Sequence, residues 1–199
     1  MSGQHGKVAI GLYEPQPVAC HEWDARAPEV ARRVAALILG RLPEAAVEHV
    51  GSTAVPRCAG KGVIDLLLLY PPGRLAAARD ALDGLGFQHQ GGRHPWPEER
   101  PMRVGSVHHA GTVFQLHVHV MAEGSREATE LLRFRDALRA DPALVASYVA
   151  AKRAALAAAA TEGVVYASGD AMEYAQAKGP FVERVLGAAP SDDPGEQSG

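Results

Sequence analysis

Residues 46–70 read AVEHVGSTAVPRCAGKGVIDLLLLY, and this stretch decides the fold. Residues 46–50 form a short, partly β-branched run into Gly51, the pattern of a strand that ends in a turn. Residues 63–70 are apolar except for Asp65 and stop at Pro71-Pro72-Gly73. A continuous run of that length predicts a central strand buried on both faces. Alternation along it places Asp65 with Val63, Leu67 and Leu69, and sets Ile64, Leu66 and Leu68 on the opposite face.

Outward from these strands the periodicity changes. Pro28 in a first helical turn, then Val30, Val34, Leu37 and Ile38, predicts a helix up to Gly40. Leu75, Ala78, Leu82 and Leu85 form a second helical stripe that ends at Gly84 and Gly86. Gly91, Gly92, Pro95 and Pro97 break any helix, and short strands follow over 102–108 and 112–121. Beyond Gly124 the spacing predicts three helices, over 126–139, 142–161 and 171–186. Asp141 before Pro142 reads as the cap of the second. The predicted class is α/β (α+β), a sheet core with a C-terminal helical layer. The expected organisation is an extended lead-in over 1–21 and one domain over 22–187, with a disordered tail over 188–199. Within that domain the sheet core takes 22–123 and the helical part 124–187.

Composition narrows the function classes. The chain has 199 residues, 47% of them hydrophobic, enough to close a core. Twenty Lys and Arg against 23 Asp and Glu leave a net charge of −3, which offers no electrostatic footprint for duplex nucleic acid or an anionic membrane. A small phosphorylated molecule is compatible, because a few local cations suffice for it. The two cysteines, Cys20 and Cys58, make neither a disulfide framework nor a zinc spacing. With no signal-peptide pattern at the N-terminus and apolar runs such as 63–70 too short for a bilayer, the expectation is a soluble, cytoplasmic protein.

Three features carry candidate chemistry. The turn Gly51-Ser52-Thr53 reads in two ways, as an anion cradle of backbone amides and hydroxyls or as an ordinary tight turn with a helix cap. Asp65 in a buried strand must be paired, hydrogen-bonded or metal-bound, in a salt bridge or in a functional site. His117 and His119 flank Val118, so both imidazoles leave one face of a strand, where they can share a metal or divide the roles of base and orienting group. Arg100 and Arg103 follow Pro97-Glu98-Glu99 and reach a phosphate or decorate a loop. Tyr148 with Lys152, and Tyr174 with Lys178, are pairs four residues apart on helices, which local packing alone would explain.

Taken together these segments resemble the GrpB family, whose domain also occurs fused to dephospho-CoA kinase. The resemblance rests on Glu48-His49-Val50-Gly51-Ser52-Thr53-Ala54-Val55-Pro56 followed by Lys61, Ile64 and Asp65. It continues through Pro97-Glu98-Glu99-Arg100, the histidine strand from Leu116 to Val120 and Phe134-Arg135-Asp136. Leu138-Arg139, Tyr148 with Lys152, and Tyr174 with Lys178 and Phe181 complete it. The resemblance implies a nucleotidyltransferase-like mixed sheet, in which a Gly-Ser turn holds phosphate and the next strand carries metal carboxylates. Ser52 then matches the turn serine and Asp65 the first carboxylate, but the second carboxylate position is Leu67, and a later strand offers His117 and His119 in place of a third.

The expected function is therefore a nucleotidyltransferase-like protein that binds a nucleotide or other phosphorylated small molecule, with metal-dependent nucleotidyl or phosphoryl transfer as its chemistry. Gly51, Ser52, Thr53, Lys61, Arg103, Arg135, Tyr148, Lys152 and Lys178 are the expected ligand contacts. Asp65, His117 and His119 are the catalytic and metal candidates, for magnesium, manganese or zinc. The donor set, one carboxylate and two imidazoles, suits a single borderline ion better than two magnesium ions. The alternatives are a non-catalytic nucleotide- or metabolite-binding module, and a metal-dependent hydrolase or ligase using the same three residues.

Overall fold

The computed structural model describes residues 9–91, 96–161, 164 and 172–188, with the side chains of 172–178 and 188 outside that description. The start of the expected lead-in and the expected tail beyond residue 188 lie outside the described residues. Helix α1, Ala27–Leu39, begins with proline in its first turn and buries Ala27, Val30, Ala31, Val34 and Ile38. Those positions recur every three or four residues and make one apolar stripe. The strands are β1 (Ala46–Val50), β2 (Ile64–Tyr70), β3 (Gln88–His89), β4 (Met102–His109) and β5 (Thr112–Ala122). Helix α2, Leu75–Gly84, lies between β2 and β3, and α3 (Arg126–Ala140), α4 (Pro142–Thr161) and α5 (Met172–Ala188) follow β5.

The class is mixed α+β, and the five strands make one sheet in the order β1-β2-β5-β4-β3. Strands β2 and β5 run parallel and every other pair is antiparallel. The central strand predicted from 63–70 is β2, and Ile64, Leu66, Leu67 and Leu68 are all fully buried. Its even-numbered residues pack with Leu116, Val118 and Val120 under α1 and α2. Leu67 faces the other way and packs with Val50, Met121 and Ala128 below α3. A separate cluster of Val55, Cys58, Leu138, Val145, Tyr148, Phe181 and Val185 joins the three C-terminal helices to the loop after β1. Each fully buried Leu or Val contributes roughly 1.5–3 kcal/mol, so the two faces of β2 anchor both helical layers.

The predicted segments match these elements within a residue or two. The Asp141 carboxylate accepts from the Ala143 amide at 2.8 Å, the cap expected before Pro142. The lead-in adds two β-bridges, Gly11 with Ser106 and His21 with Gly60. Helix α4 is long and apolar enough, by length and composition, to cross a membrane. A search for uninterrupted apolar runs overlooks it, because its hydropathy comes largely from alanine. Here its Val145, Tyr148 and Lys152 are buried against the rest of the fold.

Candidate functional site

Register brings the chemistry together. On the parallel pair, Asp65 stands beside His117 and Leu67 beside His119, and antiparallel pairing sets Val50 opposite Asp65. The end of β1, the second residue of β2 and the middle of β5 thus meet at one edge of the face that α3–α5 cover. Gly51 follows Val50 with φ 71° and ψ −173°, a region essentially restricted to glycine. A Cβ there would also collide with the Asp65 carboxylate. The turn is therefore glycine for two reasons, backbone conformation and the close approach of Asp65.

Asp65 is 8% exposed and faces three groups. Its Oδ1 lies 3.6 Å from Lys61 Nζ, 3.4 Å from His117 Nδ1 and 3.8 Å from His119 Nε2. Burial alone would raise its pKa, but the Lys61 charge together with the two histidines outweighs burial and holds the carboxyl well below the usual range. His117 is buried behind Asp65. Burial first, and the Lys61 charge second, push its pKa down to about 4, so the ring is neutral. Its Nδ1 lies 3.2 Å from Lys61 Nζ and 3.4 Å from Asp65 Oδ1, and its Nε2 is hydrogen-bonded with the Tyr13 hydroxyl at 2.9 Å.

These groups open onto a cavity of about 430 Å³. Gly51, Ser52, Lys61, Asp65 and His119 form its sheet side, and Trp96 and Arg100 its rim. Met121, Leu131, Phe134, Leu138, Val182 and Leu186 supply an apolar wall, with Glu127, Glu130, Arg135, Tyr148 and Lys152 beside it. The Ser52 hydroxyl hydrogen-bonds to no other described residue and caps no helix. Lys152 is 2% exposed; its ammonium contacts the Ala59 carbonyl, lies 3.4 Å from Cys58 Sγ and sits 4.4 Å over the Tyr148 ring. Burial lowers its pKa, and the neighbouring Cys58 works against that. Arg135 also lines the cavity, but its guanidinium is held by Glu48 at 2.7 Å and Asp136 at 2.8 Å. A larger, more open depression of about 600 Å³ lies near the C-terminal ends of α1 and α2, with Arg41 the ionisable residue among its described lining.

Two expected ligand contacts point elsewhere. Arg103 stands opposite Val118 in the β4–β5 register, so it leaves the sheet on the α2 side, away from His117 and His119. There its guanidinium binds Asp83 at 2.7 Å and Glu98 at 3.0 Å. Thr53 is buried; its hydroxyl donates to the Val63 carbonyl at 3.2 Å and accepts from His49 Nε2 at 3.0 Å. It clasps the turn to β2 and does not face the cavity. Gly51, Ser52, Lys61, Asp65, His119, Arg135, Tyr148 and Lys152 all line it, His117 supports it from behind, and the Lys178 side chain lies outside the described residues. The residues that sequence reasoning missed are Trp96, Phe134, Glu127 and Glu130. Of the two arginines after Pro97-Glu98-Glu99, Arg100 and not Arg103 reaches the cavity, stacked 4.8 Å over Trp96.

The donor set does not fit a two-magnesium centre. The second carboxylate position is Leu67, sealed in the core at 0% exposure. The Lys61 ammonium stands at the corner between Asp65 and His117 where a cation would bind. Among the described residues no three His, Cys, Asp or Glu side chains are grouped to hold a metal ion. What the arrangement offers is an ionised carboxylate beside an imidazole that faces the cavity, next to a serine hydroxyl and two ammonium groups.

Known proteins resemble this chain in sequence and in fold. A UPF0157 protein of Pseudomonas aeruginosa is 37% identical over 156 residues, 74% of this chain, although the chain spans only 57% of that relative's length. A UPF0157 protein of Vibrio cholerae is 30% identical over 168 residues, covering 84% of this chain and 80% of the relative. Among solved structures, the conserved protein GrpB from Enterococcus faecalis superposes with a TM-score of 0.62 at 22% identity, over 85% of this chain and 95% of that one. A looser likeness, TM-score 0.46 at 15% identity over 66% of this chain and 41% of the other, joins it to Cid1 in complex with its short product ApU; a likeness of that size carries no functional inference. The family model described as GrpB protein matches residues 17–188, a span that holds the glycine turn, Asp65, the histidine strand and the three C-terminal helices, and the chain belongs to the GrpB family.

Proposed function

We propose that the cavity between the Asp65 face of the sheet and the C-terminal helices binds a phosphorylated small molecule of nucleotide size. One observation carries this reading. The Gly51-Ser52 turn, Lys61, Asp65, His119 and Lys152 face a single cavity of about 430 Å³, a volume within the range of small-ligand sites. Ser52 and Lys152 contribute hydrogen-bond donors for phosphate oxygens, while Trp96 and Phe134 offer faces for a flat or apolar body.

A transfer reaction on that ligand would use His119 as the proton acceptor. It is the histidine that lines the cavity, and the ionised Asp65 at 3.8 Å would stabilise the imidazolium that forms. His117, neutral and locked between Lys61 and Tyr13, positions Asp65. With Leu67 in place of a second carboxylate, no step is routed through a metal pair. The same substitution favours a second reading, a module that binds its ligand without transferring a group.

The test is a thermal-shift screen over nucleotides, sugar phosphates and CoA precursors, each with and without magnesium, manganese and zinc. A ligand that binds only the folded state raises the melting temperature. The expected result is a shift with at least one phosphorylated compound that Ser52→Ala reduces. Shifts from none of them, at millimolar ligand, would refute the reading.

A further inference from the structure

The charges that line the cavity restrict what it can hold. Four lining residues are cations, Lys61, Arg100, Arg135 and Lys152, and three are carboxylates, Asp65, Glu127 and Glu130, the last paired with Arg126 at 2.7 Å. Lys61 is paired with Asp65 at 3.6 Å, Arg100 with Glu127 at 3.3 Å, and Arg135 with Glu48 and Asp136. Among the described cations that line the cavity, only Lys152 has no carboxylate partner.

Lys152 is also the most deeply buried of the four. At 2% exposure its ammonium is surrounded by a carbonyl, a thiol and the Tyr148 ring, neutral groups that offset only part of the cost of desolvating a charge. Removing one partner of a buried ion pair leaves this same situation, and it is strongly unfavourable. Its immediate neighbour is Gly60, where a Cβ would come within 3.2 Å of Lys152 Nζ and would overlap the Ser52 hydroxyl. Glycine there lets the unbonded Ser52 hydroxyl and the Lys152 ammonium both approach the same point of the backbone. Away from this pair the cavity is apolar, with Met121, Leu131, Phe134, Leu138, Val182 and Leu186.

We infer, resting on the reading that this cavity binds a phosphorylated molecule, that Lys152 and Ser52 seat a single phosphate and that the ligand is a monophosphate on an apolar or aromatic body. A triphosphate would bring about four negative charges into a space with one uncompensated cation, beside Glu127 and Glu130. It would have to import a divalent ion to a donor set that does not group around one. A monophosphate needs no such ion.

The experiment is isothermal titration calorimetry of the whole chain with AMP, phenyl phosphate, ATP and adenosine, each with magnesium and with EDTA. The expected result is that AMP or phenyl phosphate binds at least tenfold more tightly than ATP, with affinity unchanged by EDTA. Lys152→Met, which keeps most of the apolar stem and removes the ammonium, should cut monophosphate affinity at least tenfold and leave adenosine unaffected. Tighter binding of ATP than of either monophosphate, or a Lys152→Met variant that binds them normally, would overturn the inference while the phosphate-binding reading stands. Failure of every phosphate compound would overturn both. If Lys152→Met does not fold, the wild-type ratio of monophosphate to triphosphate decides alone.

Discussion

Replacing Gly51 with alanine should separate backbone strain from the fit around Asp65. At φ 71° and ψ −173° a non-glycine residue costs about 1–3 kcal/mol. The new Cβ would also meet the Asp65 carboxylate, which would have to move off Lys61, His117 and His119. Disturbing a buried, hydrogen-bonded charge adds roughly 1–3 kcal/mol. The sum, about 2–6 kcal/mol, corresponds to a fall in melting temperature of about 4–24 °C for a chain of this size. Gly73 is the control: it has φ 77°, and a Cβ added there would meet no atom within 4 Å, so Gly73→Ala carries strain alone. Thermal unfolding followed by circular dichroism compares the two directly. The gap between them should shrink when Gly51→Ala is made in an Asp65→Ala background, as coupled neighbours require. Equal losses for Gly51→Ala and Gly73→Ala would refute the argument that Asp65 is pressed against this turn.

Acid should destabilise the protein in two steps. The His117 pKa falls from 6.5 to about 4 on folding, so the unfolded chain takes up a proton that the folded chain refuses. Stability is then full above about pH 6.5, declines toward pH 4, and declines further below that as Asp65, also lowered, protonates. Urea melts at pH 7 and pH 4.5 should differ by roughly 2 kcal/mol from His117 alone, a difference that His117→Gln removes; no change between wild type and variant would contradict the buried neutral ring. His49, lowered to about 4 by burial, adds to the same window. Arg103→Met should lower stability by about 1–3 kcal/mol, through the loss of its charge-assisted hydrogen bonds to Asp83 and Glu98, without changing ligand affinity measured by calorimetry. Thr53→Val should cost about 1 kcal/mol in chemical denaturation and leave binding intact, whereas Ser52→Ala should weaken binding and leave the melting temperature nearly unchanged.

The contrast between Ser52 and Arg103 shows what the sequence could and could not convey. Alternation set Asp65 apart from Ile64, Leu66 and Leu68 and put His117 and His119 on one face, because period two is rigid in a strand, while the β2–β5 pairing is what joins the two sets. Arg103 obeys the same rule, but its face follows only from the β4–β5 register, which pairs it with Val118. That register is a long-range property. Thr53 sits one residue past Ser52, and the 3-10 turn over Ser52–Ala54 rotates its hydroxyl inward to Val63. The cavity walls were harder still. Trp96 comes from the connection between β3 and β4, and Phe134 lines the cavity through the rotation of α3, which packing on β1 and β5 decides. Tyr13, which holds His117, is 104 residues away in the chain. No local signal links such pairs.

A phosphate-ligand site beside Gly51-Ser52 and Asp65 is tested most directly by two-dimensional amide NMR of the 15N-labelled chain, titrated with AMP. The amides of Gly51, Ser52 and Lys61 and those around His119 and Lys152 are expected to shift together and saturate on one binding curve. Shifts concentrated instead on α1 and α2, across the sheet from Asp65, would contradict the assignment.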